Sequence, residues 1–149
     1  MSIQQDPRPE YLPALEGLLH GQNYDVWLNL YGPLDAGQPL EQALCQALAH
    51  PCDVGGSTPE SVQEAREQVL EALLYPGDPS HGPLDLDRKT GEILELGERL
   101  IEAAHLDQAD AVRSFWLAQG HPAWPVFWEF AYDIQVRDQR WLLLGSSSD

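Results

Sequence analysis

Apolar and polar residues alternate most regularly near the end of the chain, in residues 126–144. Every second position of the first half is apolar, as in a strand with one buried face: Val126, Trp128, Phe130, Tyr132, Ile134 and Val136. The polar residues 137–140 then resemble a hairpin loop, and residues 141–144 return without a polar side chain, which predicts a strand covered on both faces. Because an isolated hairpin is only marginally stable in water, the rest of the chain is expected to pack on it. Residues 145–149 are predicted to fray.

Before the hairpin the apolar positions recur with the period of a helix. Helices are predicted over residues 9–21, 40–50, 59–74 and from 90 to about 104. A further helix is predicted over residues 107–119, with Ala111, Val112, Phe115 and Trp116 facing inward. Residues 23–31 suit a strand or a helix, and the helix is preferred. A Gly/Ser loop is predicted over 52–58 and a brief extended segment over 84–89.

This order of elements predicts an α+β fold: a mainly helical single domain, residues 1–149, with a C-terminal antiparallel β-hairpin packed on the helices. Hydrophobic content of 43% and five tryptophans support a packed core. Residues 75–83 are rich in proline and glycine and offer the one place for a break between subdomains. Nine residues are nevertheless more typical of a loop within one domain.

The predicted helix 59–74 has two contrasting faces. Ser57 and Thr58 provide alternative caps, with proline following at the first helical position. At 100° per residue, four carboxylates lie within about 60° of one another: Glu60, Glu64, Glu67 and Glu71. The opposite side is apolar, with Val62, Ala65, Val69, Ala72 and Leu73. The glutamate row is either a solvated outer face or a partner-binding surface for cationic side chains.

Charge changes the expected partners. Twenty-four acids against eight bases give a net charge of −16, and residues 53–110 carry fourteen of the acids and four of the bases, a local charge of −10. A field of this sign repels nucleic acid and anionic membranes and attracts a basic protein partner. The alternative is that the acidity only keeps a small protein soluble.

The first eleven residues contain no apolar run, so no secretory signal is predicted. No stretch approaches the roughly 18 consecutive apolar residues of a membrane-spanning helix. The expectation is a cytoplasmic protein without a membrane association. In that compartment Cys45 and Cys52 would stay reduced, although they are close enough in sequence to form a disulfide.

Neither a metal nor a cofactor is predicted. Cys45, His50 and Cys52 have looser spacing than the paired patterns of zinc sites. Residues 85–96 superficially resemble a calcium loop, but the sixth position lacks the glycine and the twelfth is Leu96 instead of a bidentate glutamate. Glycine-rich phosphate loops and the G-x-S-x-G motif are absent from the sequence.

The candidates for catalysis are histidines beside carboxylates. His121 precedes a rigid corner, residues 122–125, from which it can approach Glu129, and such a pair can perform general acid–base chemistry. His81, in the 75–83 loop, is a candidate second acid or base. Glu129 and Asp133 would lie about 13 Å apart along one strand, too far to act on one bond. The simpler interpretation is that both carboxylates mark the solvent side of the hairpin.

Three functions remain open, and an enzyme is the less favoured class. The first is a small acidic non-catalytic binding protein, an inhibitor or immunity-type partner that covers a basic site on another protein. Bacterial immunity proteins resemble the chain in this general acidic character, and no motif connects it to one of their families. The alternatives are a small cytoplasmic hydrolase using a His/carboxylate pair, and an accessory subunit of a larger assembly. The accessory subunit would use surplus tryptophans among Trp116, Trp124, Trp128 and Trp141.

Overall fold

The computed structural model describes residues 8–78, 80–123 and 125–149. These residues form four α-helices and seven strands, and the short 3-10 turn Leu106–Gln108 precedes the fifth strand. In chain order the elements are α1 (Tyr11–Leu19), β1 (Gly21–Gln22), β2 (Asp25–Asp35), α2 (Leu40–Leu48), β3 (Asp53–Glu60), α3 (Val62–Leu73), β4 (Gly82–Pro83), α4 (Leu86–Ala103), β5 (Ala111–Gln119), β6 (Trp128–Val136) and β7 (Gln139–Ser148).

Five strands form one antiparallel sheet in the order β2-β7-β6-β5-β3, and β1 pairs separately with β4. The apolar run of β7 lies inside this sheet, between β2 and β6. Leu143 belongs to one hydrophobic core, whereas Leu142 and Leu144 belong to another. All three are 0% exposed, so the predicted coverage of both faces is confirmed.

Helices lie on both faces of the sheet because β6 and β7 alternate between the two cores. On one face α1, α3 and α4 bury their apolar stripes against the β6 side chains Phe130, Tyr132 and Ile134. The helical residues in this core include Leu12, Leu15, Leu19, Ala65, Val69, Leu73, Ile93, Leu100 and Ile101. On the other face α2 contributes Leu44 to a smaller core that also contains Phe115. The sheet is therefore the centre of the molecule.

The prediction of a mainly helical domain is wrong, because the five-stranded sheet is as prominent as the helices. The fold remains α+β. The difference lies in three segments: residues 23–31 and 107–119, which the sequence predicts to be helical, and residues 52–58, which it predicts to be a loop. They form most of β2, β5 and β3 respectively. The C-terminal hairpin consequently joins three further strands instead of packing alone on helices.

Burial on both faces explains the error at β5. Val112 and Phe115 are three residues apart, a spacing that in a helix places both side chains on one face. In the strand they point to opposite faces, and each finds a core: Val112 with α3 and α4, and Phe115 with α2. Trp116, predicted to face inward, is 50% exposed. The apolar spacing alone could not separate a helix from a strand covered on both sides.

The Gly/Ser segment before α3 is a strand because Trp116 lies directly against it. A Cβ atom added to Gly55 or to Gly56 would come within 2.4 Å of the Trp116 indole. Only glycine permits this approach between neighbouring strands. The two glycines, which are typical of a loop, are therefore required in the edge strand β3 by its close contact with Trp116.

The C-terminal hairpin is confirmed, with two corrections. The turn contains two residues, because Val136 pairs with Gln139, and Arg137 at its first position has a positive φ of 57°. Arg140 therefore belongs to β7. Residues 145–148, predicted to fray, continue β7: all four pair with β2, and residues 145–147 also pair with β6.

The ends of two helices also differ from the prediction. α3 starts after Ser61, whose hydroxyl accepts a hydrogen bond from the Glu64 amide, while Thr58 and Pro59 lie in β3. α4 begins at Leu86, so most of the predicted extended segment 84–89 is helical. Residues 75–83 connect α3 to α4, which pack on each other.

The cysteines differ from the expectation of two reduced thiols. Cys45 and Cys52 form a disulfide with a Cα–Cα distance of 5.6 Å, and the bond ties the end of α2 to the residue before β3. Within the part of the chain that the structure describes, no helix has the length and apolarity to cross a membrane.

Candidate functional site

Helix α3 has the two faces that the sequence predicts. Its cap is a local box in which Ser61 accepts from the Glu64 amide and donates its hydroxyl to the Glu64 carboxylate at 3.1 Å. Ala65, Val69 and Leu73 are fully buried against the sheet and α4. The carboxylates of the opposite face remain in solvent. The cap and the amphipathic pattern thus fix which side of the helix is acidic.

The four glutamates meet in one place, although they do not share one helix. Glu60 is the last residue of β3, while Glu64, Glu67 and Glu71 lie on α3. Together with Gln68 they line a shallow depression of about 260 Å³. We call these five residues the acidic surface. The assignment of Glu60 to the helix is wrong, but Glu60 lines the same depression as the other three carboxylates.

The carboxylates of the acidic surface keep their charge available to a partner. Arg66, the arginine of α3, is turned away and pairs with Glu98 of α4 and with Asp107 at 3.2 Å. Gln63 donates a hydrogen bond of 2.7 Å to Glu67, but its amide carries no charge and therefore does not neutralise the carboxylate. Across residues 8–78, 80–123 and 125–149, no basic side chain forms an ion pair within 4.0 Å of these glutamates.

Tyr132 connects the acidic surface to the core. It lies on β6, is fully buried, and its hydroxyl donates to the Gln68 side chain. Burial, followed by the negative charges of Glu60 and Glu64, raises the pKa of Tyr132 far above its usual value. The phenol therefore remains protonated and keeps Gln68 in position. Sequence reasoning missed both residues, because Tyr132 and Gln68 are 64 positions apart.

The candidate catalytic pair also comes together. His121 Nε2 lies 3.7 Å from a Glu129 carboxylate oxygen, and the Ala123 amide donates to His121 Nδ1 at 3.0 Å. Burial lowers the pKa of His121, although the Ala123 carbonyl and Glu129 oppose the shift. Burial thus favours the neutral imidazole, whose ring centroid lies 5.9 Å from that of Trp27.

His81 does not join that pair. The centroid of its ring lies 5.6 Å from that of the Phe127 ring. Phe127 packs against the core under α1, α3 and α4. Its Nδ1 lies 3.7 Å from Asp78. His121 instead contacts Trp27, which packs on the core of the opposite face. The structure therefore separates the two histidines that the hydrolase hypothesis brings into one site.

Asp133 is not on the solvent side of the hairpin, where the sequence places it. It is 2% exposed and accepts a hydrogen bond of 2.9 Å from Arg140, which is 4% exposed. Arg140 also donates to the Gln38 carbonyl at 2.8 Å. The pair is structural: it joins the central strands to the loop before α2. The sequence places Arg140 in the turn of the hairpin, so it does not predict that Arg140 pairs with Asp133.

The described residues contain no cluster of three or more potential metal ligands. The cysteines of the zinc candidate are used in a disulfide. Most of the calcium-like segment is the first half of α4, and a helix cannot wrap its ligands around one ion as a loop does.

The tryptophans offer little surplus surface. Trp141 is buried, and Trp128 is half-buried with its indole N–H donating to the Tyr24 hydroxyl at 2.7 Å. Trp116 alone of the described tryptophans is strongly exposed. Trp124 lies outside the described residues.

The architecture, a five-stranded antiparallel sheet with helices on both faces, has counterparts among solved structures. Two crystal structures of citrus MAF1 are similar to this chain. The crystal in space group C 2 2 21 gives a TM-score of 0.50 at 13% identity and covers 91% of this chain and 96% of that chain. The crystal in space group P 31 2 1 gives 0.51 at 12% identity, with coverage of 93% and 98%. At this identity the similarity shows a shared fold alone.

Sequence comparison provides no closer connection. No protein-family profile matches the chain, and no curated protein has a significantly similar sequence. Function must therefore be inferred from the residues themselves.

Proposed function

We propose that the protein is a small acidic binding protein, an inhibitor or immunity-type partner that covers a basic site on another protein. The supporting observation is the acidic surface, in which a strand end and a helix gather four glutamates while Arg66 pairs elsewhere. A chain selected for stability alone would gain from balancing these charges. A cationic partner would explain why four glutamates lie together on this surface.

Electrostatics gives this surface a physical role. Each like-charged i,i+4 pair on a helix costs a few tenths of a kcal/mol, and a cationic partner removes that repulsion. The long-range field also accelerates the encounter, since steered association reaches about 10⁸–10⁹ M⁻¹s⁻¹ at low salt against about 10⁵–10⁶ without steering. The segment 53–110, with its charge of −10, supplies most of that field. Binding should therefore depend strongly on salt.

The test is a charge reversal with a matched control. The immobilised protein captures partners from a native lysate at about 50 mM and about 500 mM salt, beside the variants Glu64→Lys/Glu67→Lys and Glu92→Lys/Glu102→Lys. Both variants change the charge by four units and alter exposed helical glutamates. Glu92 and Glu102 lie about 140° around α4 from Gly97, the residue that faces α3.

We expect a partner that binds the parent protein at low salt and is lost with Glu64→Lys/Glu67→Lys. The control variant should still capture it, although the weaker field of that variant slows the encounter. The association rate of the partner should fall at least about tenfold with the α3 variant at low salt. Equal capture by all three proteins, or an association rate independent of salt, would remove the acidic surface from the function.

The hydrolase alternative rests on a different observation, the 3.7 Å approach of His121 to Glu129. The two proposals separate in one experiment. His121→Gln removes the candidate base without touching α3, so a binding protein retains its partner and an enzyme loses turnover.

A further inference from the structure

A second depression adjoins the acidic surface between α3 and α4. It has a volume of about 470 Å³ and is lined by Glu67, Leu70, Glu71, Leu74 and Leu94. We call it the α3/α4 groove. It shares Glu67 and Glu71 with the acidic surface, so carboxylates border an apolar strip.

The groove follows from the way the two helices meet. A Cβ atom at Gly97 would lie 3.1 Å from a Leu73 methyl and 3.2 Å from a Leu70 methyl, so α4 approaches α3 closely at this glycine. Leu73 is driven fully into the core, whereas Leu70, Leu74 and Leu94 remain half-buried along the outer seam. Three leucines of two adjacent helices thus form the floor of the groove.

Resting on the proposed function, we infer that the groove takes a cationic amphipathic helix of the partner protein. The apolar side of that helix fills the seam over Leu70, Leu74 and Leu94, and its lysines or arginines meet Glu67 and Glu71. Charge complementarity selects this occupant. A second copy of this chain would bring the same negative groove against its own, at a net charge of −16 per copy.

The walls of the groove select a helix over an extended peptide. All five lining residues belong to α3, to its C-terminal cap or to α4, so the groove presents no strand edge that could pair with a peptide backbone. An extended segment pressed onto the leucines would leave the N–H and C=O groups that face the groove without partners, at a cost in free energy. A helix satisfies its own backbone and presents anchors at i, i+3, i+4 and i+7.

The test uses synthetic peptides of about 18 residues built from leucine and lysine, long enough to form several helical turns. One peptide places leucine at helical spacing, and a scrambled peptide keeps the composition without the apolar stripe. Binding is measured by titration calorimetry, and amide chemical-shift changes locate the bound peptide on the intact protein. The chemical-shift measurement needs no variant, so it remains valid if a substitution impairs folding.

We expect the amphipathic peptide to bind at least about tenfold more tightly than the scrambled one, with shifts centred on residues 67–74 and 91–98. Leu94→Ser should weaken binding at least about fivefold, because it removes part of the groove floor. Leu84→Ser, at a residue 53% exposed outside the groove, is the matched control and should leave binding unchanged. A fall in affinity without a change in the circular dichroism spectrum assigns the effect to the groove.

The outcomes separate this inference from the proposed function. Equal binding of the two peptides, unchanged by Leu94→Ser, overturns the helix in the groove, and so do shifts elsewhere on the protein. In either case the acidic surface would still be a binding site if a partner from the lysate binds the parent protein and not Glu64→Lys/Glu67→Lys. If that partner also ignores the charge reversal, both proposals fail.

Discussion

Tyr132 shows how a single residue couples surface charge to the core. Its ring packs between the sheet and the helices, and its hydroxyl donates a hydrogen bond to Gln68 of the acidic surface. Burial disfavours the phenolate, and Glu60 and Glu64 disfavour it further. The folded protein therefore holds the phenolic proton at a pH where the unfolded chain, with an ordinary pKa near 10.0, has released it.

This difference predicts a loss of stability at high pH. Above the unfolded pKa of Tyr132 the unfolded state binds fewer protons than the folded state, so the free energy of unfolding falls as pH rises through that range. Tyr132→Phe should make the decline shallower, at a cost of about 1 kcal/mol near neutral pH for the lost hydrogen bond. Urea unfolding between about pH 7 and pH 11 measures both effects.

Gln68→Ala is the matched control, because it removes the same hydrogen bond and keeps the phenol. It should retain the steep alkaline decline. Three other tyrosines also have raised pKa values because of burial, Tyr11, Tyr24 and Tyr31, so some alkaline decline remains in every variant. Parallel pH profiles for Tyr132→Phe and the parent protein would contradict the assignment.

At the scale of elements, the boundary between β3 and α3 builds the acidic surface. Thr58 and Pro59 pair with β5, and the chain enters the helix only after Ser61 caps the Glu64 amide at 3.0 Å. This late start places Glu60 on the strand end, next to the helical glutamates. A helix starting at residue 59 would have placed the same carboxylate on its own first turn.

The position of the cap can be tested by two alanine substitutions. Ser61→Ala should lower the free energy of unfolding by about 1 kcal/mol, the usual cost of losing a helix N-cap. Thr58→Ala, on the exposed edge strand, should change it by at most about 0.5 kcal/mol, as is typical of surface positions. Urea unfolding of both variants decides the matter. A larger effect at Thr58 would move the helix start back to the position expected from the sequence.

At the scale of the whole molecule, the charge of −16 opposes compaction. The repulsion acts between solvent-exposed carboxylates over distances that salt screens, with a Debye length of about 10 Å at 0.1 M. The few bases are largely engaged in local contacts, such as Arg66 with Glu98 and Asp107, and Arg140 with Asp133. They therefore do little to neutralise the surface as a whole.

Stability should accordingly rise with salt. We expect the midpoint of thermal unfolding to increase between about 10 mM and about 300 mM sodium chloride, since screening reduces self-repulsion in the folded state. The increase should be smaller for Glu92→Lys/Glu102→Lys, which has two fewer negative and two more positive charges and therefore a net charge less negative by four units. A midpoint that falls with salt would show that attractive ion pairs outweigh the repulsion.

Local apolar spacing is enough to predict the elements for which it admits one solution. It located α1, α2, α3, the later turns of α4 and the C-terminal hairpin, because a stripe at i, i+3 and i+4 suits a helix. Regular alternation with a polar turn likewise identifies a hairpin. The row of glutamates is equally local in origin, since the charges are close together along the chain.

The remaining elements depend on contacts between distant parts of the chain, because burial on both faces removes the pattern that marks a strand. Val112 and Phe115 have the spacing of a helix, but their side chains pack into two different cores. Asp133 is buried because Arg140, on the neighbouring strand, donates a hydrogen bond to its carboxylate. The α3/α4 groove also depends on contacts between helices, through Gly97. The spacing of apolar residues along a chain shows how one face of an element is buried. Which elements pack on each face depends on residues far away in sequence.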